Sequence, residues 1–237
     1  TDAIAIYEDD SGGFWMGTLG RGVKRFDRRT GQFRDLVNGS KGVPDVSPLG
    51  VVMRFFKDHA GTVWTASWDA LKQFDPAKER LTAFRPPATK TPGPGFDVQD
   101  ILSITEDRRG SLWLGTNLLG LINLDPVTGQ WKNYNFKKDG PDSLSNSRVN
   151  ATYVDRSGLI WAGTQNGLNQ LDPKTGRITA YFERDGLAGN VVGCILEDRQ
   201  GDLWMSTNRG VSRFDPRRKT FKNYSVVDGL PGLDLTG

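Results

Sequence analysis

The chain has 237 residues, a formal net charge of +3, 29 glycines, one cysteine and one histidine. It holds no run of 18 apolar residues, which excludes a membrane-spanning helix and so direct membrane insertion. Its basic residues are scattered, with short pairs such as Arg28-Arg29 and Arg217-Arg218, so they read as a solvated rim and not as a nucleic-acid surface. Cys194 has no partner for an internal disulfide, so the cysteine count leaves the compartment open. Its apolar neighbours predict a buried thiol.

One phrase recurs five times. The copies align on Trp15, Trp64, Trp113, Trp161 and Trp204, at intervals of 49, 49, 48 and 43 residues. Six positions before each stands an Asp (Asp9, Asp58, Asp107, Asp155, Asp198). Three before stands Gly12, Gly61, Gly110, Gly158 or Gly201, and three after stands Thr18, Ser67, Thr116, Thr164 or Thr207. In chain order, each copy opens with a short apolar stretch such as DILSITED or VVGCILED, a first strand. EDxxG then predicts a tight turn, with Asp bonding its own backbone and Gly accepting positive φ. LWLGT is a second strand, a loop of about four residues usually closed by Gly follows, and LINLD or VSRFD is a third. DPxTG at 125–129 and 172–176 is a turn with Pro setting φ and Gly in the left-handed position. QWKNYN or FKNYS completes the unit, and no stretch keeps helical periodicity over three turns.

One such sheet cannot bury both faces, because its first strand is apolar on both: Ile4 and Leu102 on one side, Tyr7 and Val52 on the other. Radial stacking of neighbours solves this. The expectation is an all-β chain, a β-propeller of four-stranded antiparallel blades, with the repeated Trp packed between blades. Five blades fall at approximately 1–34, 51–84, 98–135, 147–182 and 190–225, within a single propeller region over 1–237. VDGLPGLDL resembles the RDGLAGNVV that introduces the fifth unit, so 226–237 reads as the start of a sixth, and the five repeats as a section of a ring of about seven blades.

The stretch ITEDRRGSLWLGTNLLGLINLDPVTGQWKNY, with EDRQGDLWMST, GLNQLDPKTG and DSLSNSRVNATYVD, resembles the two-component regulator propeller repeat. That repeat occurs in sensor regions of bacterial hybrid histidine kinases and some diguanylate cyclases. The resemblance covers nearly the whole chain. It implies a periplasmic, ligand-sensing propeller, the extracytoplasmic part of an inner-membrane receptor. It carries no catalytic residue, and neither a metal nor a cofactor is expected. It allows a homodimer through the parent receptor. The second copy departs most: TVWTASWDALKQFDP lacks the Gly after Ser67 and has a Trp-Asp pair instead.

Positions that vary between copies are free to serve a ligand. Loops joining second to third strands share one face of a propeller with the blade-to-blade connections. They offer Arg21, Trp68, Asp69, Asn117, Gln165, Asn166, Asn208 and Arg209, suited to bonding and stacking against a polar small molecule such as a saccharide. Arg54 is a further candidate. It stands on a first strand where the other copies have Ala5, Ser103, Ala151 and Cys194, so it either lines the channel or pairs with a buried acid. Asn150, where others carry Ile4, Met53, Leu102 and Gly193, is a case of the same kind. Long connections at 38–48 and 85–100 are further places for recognition residues.

A protein–protein scaffold is the alternative. A propeller lyase or glycosidase is a third reading, since virginiamycin lyase-type propellers also repeat a Gly-x-x-Trp phrase. The one histidine, His59, falls in a first-to-second strand turn, away from the expected site. EDDSGG near the start lacks the spaced oxygens of a calcium loop and reads as a turn.

Overall fold

The computed structural model describes residues 3–19, 22–36, 51–85, 98–138, 140 and 142–232. Among these, five four-stranded antiparallel sheets form, each with its strands in chain order. The first comprises β1 (Ala3–Glu8), β2 (Phe14–Thr18), β3 (Val23–Asp27) and β4 (Gln32–Asp35). The second comprises β5 (Val52–Lys57), β6 (Val63–Ser67), β7 (Leu71–Asp75) and β8 (Arg80–Ala83). The third comprises β9 (Ile101–Glu106), β10 (Leu112–Thr116), β11 (Leu121–Leu124) and β12 (Trp131–Tyr134). The fourth comprises β13 (Val149–Val154), β14 (Ile160–Thr164), β15 (Gly167–Leu171) and β16 (Ile178–Tyr181). The fifth comprises β17 (Val192–Glu197), β18 (Leu203–Thr207), β19 (Gly210–Asp215) and β20 (Thr220–Tyr224).

The recurring residues build the turns. In the first-to-second strand turn, Asp Oδ1 accepts backbone N–H groups two and four residues on, as Asp155 does from Ser157 at 2.8 Å and Leu159 at 3.0 Å. The Gly of the phrase takes positive φ each time, from 79° at Gly12 to 91° at Gly201. The other carboxylate oxygen accepts the indole N–H of the Trp six residues later: 2.7 Å in the first two sheets, 3.1 Å at Asp107–Trp113, 2.8 Å at Asp155–Trp161 and 2.9 Å at Asp198–Trp204. The invariant spacing thus ties the turn to the sheet face, a job beyond the packing expected of the Trp.

The chain divides into two compact units, Thr1–Ile104 with Asp125–Gln130, and Thr105–Leu124 with Trp131–Gly237. In the first unit, Trp15 and Val23 of the first sheet pack on Val52, Val63, Phe74 and Leu81 of the second. Trp15 meets Phe74 edge-on at 4.9 Å. In the second unit, Trp113 and Leu121 pack with Val149, Ile160, Ala162 and Leu171, while Trp161 and Leu168 pack with Val192, Ile195, Met205 and Phe214. Close approach is set by glycine: a Cβ on Gly163 would lie 2.6 Å from Val192 Cγ1, and one on Gly17 would lie 2.5 Å from the Val52 carbonyl oxygen.

Cys194 is half-buried, not buried as its neighbours suggested. It shares a face of the fifth sheet with Leu196, 62 % exposed, and the half-buried Trp204.

Candidate functional site

The second-to-third strand loops are fastened by one device in four of the five sheets. The Thr that ends the second strand donates its hydroxyl to the carbonyl of the Gly that precedes or opens the third: Thr18 to Gly22 at 3.0 Å, and Thr116 to Gly120, Thr164 to Gly167 and Thr207 to Gly210, each at 2.9 Å. The same hydroxyl oxygen accepts a loop amide from Leu119, Asn166 and Arg209 in the last three. Those glycines all have positive φ, a conformation that costs a residue with a Cβ roughly 1–2 kcal/mol.

The second sheet lacks the device. Ala70 stands where the others have glycine, and its φ is not positive. The Ser67 hydroxyl is buried with no hydrogen-bond partner among the described residues, as are Thr65 Oγ1 and Asp69 Oδ1. Asp69 turns inward instead, and its Oδ2 lies 2.7 Å from Lys72 Nζ, whose side chain is 2 % exposed. Lys72 pairs directly across from Thr65. The corresponding residues elsewhere are Lys24, Ile122, Asn169 and Ser212. Each unsatisfied buried hydroxyl costs about 1–3 kcal/mol, so this cluster is a local departure from the repeat and not a neutral variation of it.

Lys72, Thr65 and Ser67 were not among the candidates read from sequence. The sequence alone did not mark them: the other copies carry Lys24, Ile122, Asn169 and Ser212 at the Lys72 position, a mixed set, and the burial of Ile122, Asn169 and Ser212 shows only in the structure. Trp68 is 51 % exposed, with its carbonyl accepting the Asp100 amide at 2.7 Å.

The other candidates divide by what they touch. Arg54 lies on β5 opposite Ala66, is exposed, and forms no ion pair among the described residues. The dilemma of a buried charge therefore does not arise, because the β5 backbone directs the guanidinium into solvent. Asn150 donates to the Val192 carbonyl at 3.0 Å and accepts from Arg148 Nε at 3.1 Å, so it links the fourth sheet to the fifth. Asn208 Oδ1 accepts the Val191 amide at 3.2 Å. Arg209 pairs with Glu183 at 2.9 Å. Asn117, Gln165 and Asn166 make no side-chain hydrogen bond to a described residue; Asn166 is exposed and the other two are half-buried. Arg21 lies outside the described residues, as do 37–50 and 86–97, which hold most of the two long connections. His59 is exposed in the β5–β6 turn, at the opposite end of its sheet from Trp68 and Asp69. No group of three metal-ligating side chains comes together among the described residues.

Four-stranded antiparallel sheets in chain order, packed face to face within each unit by a repeated Trp, define the blades of a β-propeller. The model of the two component regulator propeller family matches residues 95–118, 143–166 and 186–209, and the chain carries that repeat. A histidine kinase of Formosa agariphila is 33% identical over 75 residues, which are 31% of this chain and 6% of the kinase. The extracellular domain of a B. thetaiotaomicron protein assigned to the hybrid two component systems superposes with a TM-score of 0.75 at 20% identity, covering 93% of this chain and 29% of that one. PorZ, a surface component of the type-IX secretion system of Porphyromonas gingivalis, gives 0.69 at 16% identity, covering 98% and 35%. Virginiamycin B lyase of Staphylococcus aureus gives 0.64 at 15% identity, covering 97% and 70%. These likenesses establish the fold, and the chain spans under a third of the first of these structures.

Proposed function

We propose that this chain is an extracytoplasmic, ligand-sensing propeller region of a bacterial two-component or related signalling receptor. It binds a polar small molecule such as a saccharide and passes occupancy to an output domain of the parent protein. The observation that carries the reading is the match of three repeats to the two component regulator propeller model. The likeness to an extracellular domain of a two component system supports the placement outside the cytoplasm. At the second-to-third strand end of the first, third, fourth and fifth sheets the repeat spends its Thr and Gly on fastening the loop. That leaves Trp68, Asn117, Gln165 and Asn166 to a ligand, with Arg54 as a further donor. Catalysis is not assigned to this region, and a homodimer belongs to the parent receptor.

A scaffold role is the second reading, favoured by apolar loop tips: Leu19 is 47% exposed, Leu118 70% and Leu119 41%. Calorimetric titration with a panel of neutral and acidic oligosaccharides separates the two. Saturable binding without product formation supports the sensor. Silence toward the whole panel, with capture of a protein partner abolished by Leu118→Asp, replaces it with the scaffold.

A further inference from the structure

The second sheet buries polar atoms that find no partner among the described residues. Thr65 Oγ1, Ser67 Oγ and Asp69 Oδ1 are shielded from solvent, with no partner among the described residues. Lys72 has three N–H donors and directs one at Asp69 Oδ2. Thr65 and Ser67 lie two residues apart on β6, so their side chains leave the same face, the one Lys72 shares across the ladder. In the other sheets the residue equivalent to Ser67 has its bonds made, and the residue equivalent to Lys72 is an isoleucine, a bonded asparagine or serine, or a lysine paired on its own fourth strand.

Charge selects what can fill this group. The Lys72 ammonium and Asp69 carboxylate cancel. An anion would meet the unbonded Asp69 oxygen, and a cation would meet the ammonium. A neutral solute with adjacent hydroxyls suits both, since a hydroxyl accepts from Lys72 and donates to Asp69, and exchanges bonds with Ser67 and Thr65 in either sense. The cover over the group is also distinct. The β6–β7 loop lacks the hydroxyl-to-glycine fastening of the other four, and its side-chain tie to the interior is the Asp69–Lys72 pair. Trp68, half in solvent at the rim, offers a flat apolar face of the kind that stacks on a sugar ring.

We infer that residues 65–72 form a covered subsite for a neutral, hydroxyl-rich solute of the sugar or polyol class. The loop carrying Trp68 and Asp69 lifts, the solute takes its hydroxyl bonds from Lys72, Thr65 and Ser67, and Trp68 closes against it. This deepens the sensor reading and rests on it.

The probes are methyl glucoside, methyl galactoside and methyl xyloside, with glucuronate and glucosamine as charged counterparts. Binding is followed by calorimetry and by tryptophan fluorescence, with Trp68→Phe to identify the reporting indole. The decisive variant is Lys72→Ile with Asp69→Asn, which the sheet tolerates because Ile122 occupies the equivalent site fully buried. It should bind a neutral glycoside at least tenfold more weakly while keeping or raising its melting temperature. A second variant, Ser67→Thr with Ala70→Gly, restores the fastening of the other loops and should weaken binding with the fold intact. Equal binding by wild type and both variants places the ligand elsewhere and overturns the subsite, while the sensor reading stands. Binding of the charged probes alone overturns the neutral class. If the wild type binds no probe, and the titrations with larger oligosaccharides are silent too, both readings fall; if only the monosaccharides fail, the subsite alone falls.

Discussion

At the residue scale, the Asp of the repeat carries more than a turn. Asp155 is 7 % exposed and holds the buried Trp161 indole and two turn amides at once. Asp155→Ala leaves three donors without their acceptor, and a loss of about 2–4 kcal/mol is expected in urea unfolding. The same bonds set the acid limit. Burial pushes the Asp9 carboxyl up, but bonds from the Ser11 hydroxyl, the Trp15 indole and the Gly13 and Ser11 amides outweigh it and hold its pKa at about 2 against an ordinary 3.8. Asp198 is lowered as well, chiefly by the Trp204 indole. The unfolded groups take up protons near roughly pH 4 and the folded ones only at lower pH. Their contribution to stability is therefore complete above roughly pH 4 and lost as pH falls toward 2. Thermal melts at pH 6, 4 and 3 should show little change over the first step and a marked fall over the second, and Asp9→Ala should flatten that fall.

At the element scale, sheet contacts depend on what the second strand presents. Gly163 faces Val192, and an added Cβ would lie 2.6 Å from its Cγ1 and 3.2 Å from its carbonyl oxygen. Gly163→Ala should cost about 1–3 kcal/mol by overpacking, read as a lowered denaturation midpoint with an unchanged slope. The second and fifth sheets have Ala66 and Ser206 at this position, so the sequence alone did not show where glycine is obligatory. The strands and turns themselves were legible, because each turn is closed by groups within a few residues, as in the Gly158 amide bonding the Asp155 carbonyl at 2.9 Å. The site was less legible. Asn150 reads as a free amide until Val192, 42 residues on, is placed against it. Lys72 reads as a solvated strand lysine until Asp69 folds over it.

At the scale of the whole molecule, exposed apolar side chains bear on association. Phe55, Val63, Phe74 and Leu81 of the second sheet contribute to the core against the first. The equivalent face of the first sheet carries Ile6, Phe14, Phe26 and Phe33, of which Ile6 is 65 % and Phe33 55 % exposed. Apolar side chains exposed to this extent among the described residues invite association. The 237-residue chain should bind a hydrophobic dye, and Ile6→Lys with Phe33→Lys should reduce the dye signal while the far-ultraviolet circular dichroism stays unchanged. An unaltered dye signal would show that this face is covered in solution.

The sequence by itself determined the repeat, the four strands of each unit, their order and the turns between them. These rest on contacts between near neighbours, repeated five times with the same spacing. It also marked the second unit as the one that departs. Only the tertiary structure decided which polar side chains are consumed in holding the sheets, that the indole bonds the repeat aspartate, that Arg54 is solvated, and that Lys72 is buried. Burial and hydrogen-bond satisfaction are properties of what lies across the sheet or on its neighbour, and one chain position does not carry them.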